Sequence, residues 1–141
     1  MESWIIYALL SALFAAFVSV FGKMGLTGID SNVATAVRAV IMALFLIGVI
    51  CFQGNIGRVQ EIFSDKRSLL FIVLSGIAGA LSWLFYFMAL KHGKVSQVAP
   101  IDKLSVAFAV ILSIVVLNES ISPIHIFAIV LIVVGGLLML L

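Results

Sequence analysis

The stretch Ala89-Leu-Lys-His-Gly-Lys-Val-Ser-Gln-Val-Ala-Pro-Ile-Asp-Lys-Leu-Ser105, followed by an apolar run that closes on Leu117-Asn-Glu-Ser120, decides how this chain is read. It enters an apolar segment through Pro100 and sets a carboxylate and an amine, Asp102 and Lys103, inside it. As a single helix, Ser96 to Leu117 would cover about 33 Å at roughly 1.5 Å per residue, enough to cross a hydrocarbon core of about 30 Å. Asp102 would then sit roughly 9 Å in from the end. On the lower, insertion-based estimates an Asp or Lys at the centre of such a helix costs about 2.5 to 3.5 kcal/mol, so an ionisable residue there is first a functional-site hypothesis.

Working outward, the composition fits only one solvent. Of 141 residues, 65% are hydrophobic and 10% charged, whereas a soluble domain is about a quarter charged. The chain reads as an integral membrane protein. Its net charge of +2 is spread over a few loop residues, too dilute for a nucleic-acid surface. Cys51 is the single cysteine, which rules out an intrachain disulfide. The apolar start from Trp4 to Phe21 has Glu2 and no Lys or Arg in front of it, so it reads as a retained span rather than a signal peptide.

Five apolar segments are expected to be transmembrane helices: residues 4–21, 33–52, 69–90, 96–117 and 123–141. Their lengths fall in the range of about 17 to 25 that spans a bilayer, and they lack the alternating polarity of barrel strands. The fold class is therefore all-α, one compact unit over residues 1–141. Asp30-Ser-Asn32 suits a turn followed by a helix cap, a short interfacial helix is expected around Val59 to Phe63, and Ser122-Pro123 reads as an N-cap with proline in the first turn.

An odd number of spans puts the termini on opposite sides of the membrane. Arg58, Lys66 and Arg67 fall on the amino-terminal side, and Lys23, Lys91 and Lys94 on the other. Counting Arg38 and Lys103 favours the second side as cytoplasmic only weakly, so the Lys/Arg bias that sets orientation is close to balanced.

The intramembrane constellation is Arg38 in the second span with Asp102 and Lys103 in the fourth. Both spans start from the same side, which gives the three groups similar depth. Arg38 with Asp102 is the preferred pair, because neighbouring helical positions point about 100° apart. The two long cations can instead snorkel to the headgroups; the short Asp102 cannot. Pro100 removes the amide that would bond the Ser96 carbonyl, so the helix either kinks there or starts there. Ser96 and Gln97 add hydrogen-bonding groups nearby. Glu119 is expected in the loop at the far interface.

Gly76, Gly79 and Ala80 form a small-residue stripe, and Gly135-Gly136 a second one, both suited to close helix packing in lipid. Trp83, Phe85, Tyr86 and Phe87 follow the first stripe; they pack, or line a cavity for an organic substrate. His92 and His125 have no carboxylate or cysteine at metal-ligand spacing, and no nucleophile elbow, zincin motif or phosphate-binding glycine loop occurs. Neither enzyme chemistry nor a metal or other cofactor is expected.

The run from Ala89 to Leu104, the apolar stretch into Leu117-Asn-Glu-Ser-Ile-Ser122, the final helix with Val134-Gly-Gly-Leu137 and Arg38 early in the second span together resemble the EamA domain of the drug/metabolite transporter superfamily. The resemblance covers essentially the whole chain. It implies one half of the ten-helix inverted repeat usual in that family, hence a homodimer, with the balanced loop charge pointing to an antiparallel one. It further implies a multi-pass protein of the cytoplasmic or inner cell membrane that exports or exchanges small organic metabolites or drugs, with Arg38, Pro100, Asp102, Lys103 and Glu119 as positions to test. The alternatives are a non-transporting membrane scaffold or accessory subunit and a translocase of lipid-linked sugars.

Overall fold

Residues 3–140 are described by a computed structural model. Met1, Glu2 and Leu141 lie outside the described residues, and with them the end of the fifth expected span. Among the described residues every regular element is a helix, with no strand. The helices are α1 (Ser3–Gly25), α2 (Ser31–Phe52), α3 (Val59–Ser64), α4 (Lys66–His92), α5 (Val95–Asp102), α6 (Ser105–Leu117) and α7 (Pro123–Leu138), with a 3₁₀ turn at Ile56–Arg58 before α3. In lipid each backbone amide must be satisfied inside its own segment, which is why such uniformly apolar runs become helices.

Among the described residues, four segments are long and apolar enough to cross a membrane: α1, α2, α4, and α5 with α6 taken together as Val95–Leu117. The apolar α7 is shorter, 16 residues, or about 24 Å at 1.5 Å per residue. The chain is an all-α membrane protein.

The caps explain where the elements begin. Asp30 accepts hydrogen bonds from the amides of Asn32 (2.9 Å) and Val33 (3.1 Å) and opens α2, satisfying amides that have no intrahelical partner. The Val33 amide, then that of Asn32, holds the exposed Asp30 carboxyl below its ordinary range. Asp65 does the same for α4 through the Ser68 hydroxyl and the Arg67 amide, and its carboxyl is likewise lowered. Ser122 occupies the N-cap position and Pro123 opens α7, as expected, but the Ser122 hydroxyl makes no capping bond to an amide and instead lies 3.1 Å from His125 Nδ1. The α6 helix stops because Asn118 adopts φ +56°, a left-handed conformation that asparagine tolerates.

The helices fall into two compact units. One is Met24–Lys91, with α2, α3 and α4; the other is Met1–Lys23 with His92–Leu141, holding α1, α5, α6 and α7. In the first, Leu26, Phe87 and Leu90 are buried. In the second, α7 packs on α5 and α6, and Lys23 Nζ donates to the Gly93 carbonyl at 2.8 Å, fastening the end of α1 to the connection before α5. Most large apolar side chains, such as Phe45, Phe85 and Ile124, face outward, as lipid-solvated helices require.

Polar side chains inside the helices turn back on their own backbone. Ser19 Oγ donates to the Ala15 carbonyl (2.9 Å) and Thr35 Oγ1 to the Ser31 carbonyl (2.7 Å). These bonds give each hydroxyl an acceptor one turn back on its own helix.

Candidate functional site

The fourth span does not run as one regular helix. It starts at Val95, with Lys94 at the cap position and the Gln97 and Val98 amides bonded to the Lys94 carbonyl. Pro100 is therefore inside α5, and the reading in which the helix begins at the proline is overturned. The α-helical ladder gives way two residues beyond Asp102. The Lys103 amide is shared between the Ala99 (3.3 Å) and Pro100 (3.2 Å) carbonyls, and the Leu104 amide bonds Ile101 at 2.9 Å, an i to i−3 pattern. Val106 and Ala107 continue it to Lys103 and Leu104 before α6 settles into α-geometry. A proline has no amide for the Ser96 carbonyl and its ring crowds that oxygen. The strain is relieved in the following turn as a short 3₁₀ passage, a form often found where a helix is locally tightened.

That passage holds the ionisable pair. Lys103 Nζ lies 3.3 Å from Asp102 Oδ2, with the two side chains 55% and 35% exposed. A 3₁₀ turn sets neighbouring positions about 120° apart, further than the roughly 100° of a regular helix, so it is the long, flexible lysine stem that lets Lys103 reach back to Asp102. Ser96 is exposed and Gln97 half-buried on the same short helix. Glu119 is exposed in the loop after Asn118.

Helix α7 is pressed against this passage. A Cβ placed on Gly136 would lie 3.1 Å from the Pro100 carbonyl oxygen and 3.5 Å from Leu104 Cδ2, whereas one on Gly135 would meet nothing within 4 Å. Close packing expected of both glycines is thus found at Gly136. At the other stripe a Cβ on Gly76 or Gly79 meets no atom of this chain within 4 Å, and Ala80 is exposed.

In the other unit, Arg38 places its guanidinium carbon 3.6 Å from the centroid of the Trp83 ring and 5.2 Å from that of Phe87. At 3.6 Å there is room only for a guanidinium lying roughly parallel to the indole, because one standing on edge would drive an N–H into the ring. Tyr86 meets Trp83 edge-on, centroids 5.7 Å apart at 87°, and Phe87 completes the cluster 5.8 Å from Trp83. Asp102 has Lys103 beside it, and Arg38 has Trp83 and Phe87, each within its own unit. Phe87 belongs to the aromatic run expected to pack or line a cavity, and its four-residue spacing from Trp83 places the two rings on one helix face.

Over residues 2–141 the chain matches the EamA-like transporter family. It belongs to that family. An uncharacterized transporter of a Sinorhizobium species, from the 3′ region of cobO, is 38% identical over 138 residues, covering 98% of this chain and 96% of that protein. An uncharacterized protein of Methanocaldococcus jannaschii is 32% identical over 78 residues, 55% of this chain and 57% of that one. No solved structure matches. The EamA-like chain is a multi-pass membrane transporter, so its 3₁₀ passage and its stacked arginine are features of a protein that moves something across a bilayer.

Proposed function

We propose that this EamA-like chain is a secondary carrier of small organic solutes, working as an antiparallel homodimer in the cytoplasmic membrane of its cell. The observation that carries the reading is the break in the fourth span beside Asp102. Lys103 is the ninth residue of Val95–Leu117, about 12 Å along a helix of 1.5 Å rise, so a carboxylate, an amine and loosened backbone meet well inside an apolar segment. Carriers place interrupted helices and ionisable groups at that depth because a solute or coupling ion needs partners that lipid cannot supply. Asp102 then takes up a proton or cation, with Lys103 as its resting counter-charge.

One five-span unit offers little wall for a path, and an inverted second copy supplies the other face. The near-balanced Lys/Arg count supports insertion in both orientations. The open Gly76, Gly79 and Ala80 surface is where a second copy fits closely.

The test is flux in liposomes reconstituted with the purified chain. Solute-dependent flux, lost in Asp102→Asn while the protein stays folded, is the expected result; full flux in that variant removes Asp102 from the mechanism. Absence of flux together with a co-purifying membrane protein would instead make the chain an accessory subunit. Reporters on both termini should find each on both sides of the membrane; strict one-sided placement would refute the antiparallel arrangement.

A further inference from the structure

The Arg38 cluster has chemistry that the Asp102 reading leaves unused. Within its own unit, no described carboxylate lies within ion-pairing distance of Arg38; Asp30 and Asp65 are engaged in helix caps. Its neighbours are ring faces. A ring face attracts the positive charge of a guanidinium, yet a stacked guanidinium keeps its N–H donors directed outward in its own plane. Five donors in a fixed fork match the two oxygens of a carboxylate. Donors left without an acceptor in an apolar medium are costly. Arg38, Trp83 and Tyr86 are half-buried, so a ligand can reach them, while the buried Phe87 anchors the stack from beneath.

The head group is also prevented from snorkelling. A free arginine at this depth, about 10 Å from the start of α2 at 1.5 Å per residue, would extend toward the interface. Here the guanidinium rests on α4 instead, at two rings one helical turn apart.

We propose that the Arg38–Trp83–Phe87 stack is the anion-recognition point of the carrier, taking the carboxylate of an amphipathic organic acid whose apolar body lies along Trp83 and Tyr86. This rests on the carrier reading and names its substrate class. The guanidinium forks the carboxylate in its plane, and the ring edges around it exclude solutes that bring only a cation. Planar bidentate pairing sets the orientation of the solute, with its charged end at Arg38 and its apolar end toward the aromatic wall.

The chain has two tryptophans, Trp4 and Trp83, so Trp4→Phe leaves Trp83 as the only indole and a direct reporter. The protein in phosphatidylcholine liposomes is titrated with phenylacetate, cyclohexylacetate and octanoate, each beside its matching alcohol and amine, at neutral pH. At least one acid should quench Trp83 saturably and bind roughly ten- to a hundredfold tighter than its alcohol or amine, the discrimination expected of a charge-assisted hydrogen bond. Arg38→Gln should lose that preference and Arg38→Lys recover part of it, with helicity by circular dichroism confirming both folds. Equal binding of acid, alcohol and amine, or no binding of any acid, would overturn the proposal without reference to a variant. Relief of the quench by added phosphatidylglycerol would also overturn it, by making a lipid headgroup the occupant. Carrier and anion site fail separately: saturable acid binding with no flux of any solute sinks the carrier reading alone, and flux of amines or neutral solutes untouched by Arg38→Gln sinks the anion site alone.

Discussion

The carbonyl oxygen of Pro100 lies 3.1 Å from the point that a Cβ on Gly136 would occupy, so the backbones of α5 and α7 meet where the fourth span loosens. The contact is with a backbone atom, which cannot rotate aside as a long side chain would. It makes Gly136 the position at which α7 tolerates no bulk, and it braces the turn carrying Asp102 and Lys103.

Gly136→Leu should therefore destabilise the chain by about 1 to 3 kcal/mol, the usual cost of overpacking a close contact. Gly136→Ala should do so less, and Gly135→Ala, with open space around it, should be neutral or mildly stabilising through helix propensity. Thermal unfolding of the three variants in one detergent checks the order. Equal behaviour of the 135 and 136 variants would contradict the packing.

Pro100→Ala restores an amide that can bond the Ser96 carbonyl. The 3₁₀ bonds through Lys103 and Leu104 should then revert to α-helical ones, with slower hydrogen exchange at Leu104 and Ser105 and a higher melting temperature. Flux should fall, because the backbone beside Asp102 is no longer loosened. Unchanged exchange at those amides would mean that the proline does not cause the break.

The Asp102–Lys103 pair is partly exposed, and such pairs contribute only about 0 to 1 kcal/mol. Asp102→Asn and Lys103→Met should each leave the melting temperature within a few degrees of the parent while changing transport. Collapse of the fold in both would assign the pair to structure.

Asp30 gives a pH signature outside the membrane. Its pKa is lowered by the Val33 and Asn32 amides, so its contribution to stability is present in full above the unfolded carboxylate value of about 3.9 and is lost as pH falls through the lower folded value. Asp30→Asn, which caps without titrating, should protect the Asn32 and Val33 amides from exchange equally at neutral and acid pH. The parent should lose that protection on acidification, and Asp30→Ala should lack it throughout. Identical profiles for parent and Asp30→Asn would refute the charged cap.

Much of this was legible from local features. The apolar runs located the spans, although α1 continues through Gly22 to Gly25 and α4 extends from Lys66 to His92, because polar end residues still complete helical turns. Asp30 was readable as a cap and Val59 to Phe63 as a short helix, since each depends on a few adjacent residues. The fourth span was harder. Pro100 announced a disturbance, but its relief at Lys103 and Leu104, and the ion pair that forms there, depend on how the released backbone repacks. Ser122 shows the same limit: its residue type suited a cap, while its hydroxyl is turned to His125.

By itself the sequence determined the solvent, the helical class and the approximate ends of the spans, because hydropathy and capping act over distances of a turn or a helix length. Only the tertiary structure decided that Arg38 lies on Trp83 and Phe87, and that Gly136 rather than Gly135 touches a neighbour. The reason is rotational: where a helix is apolar on every side, its pattern does not say which face turns toward which partner, and that choice comes from packing.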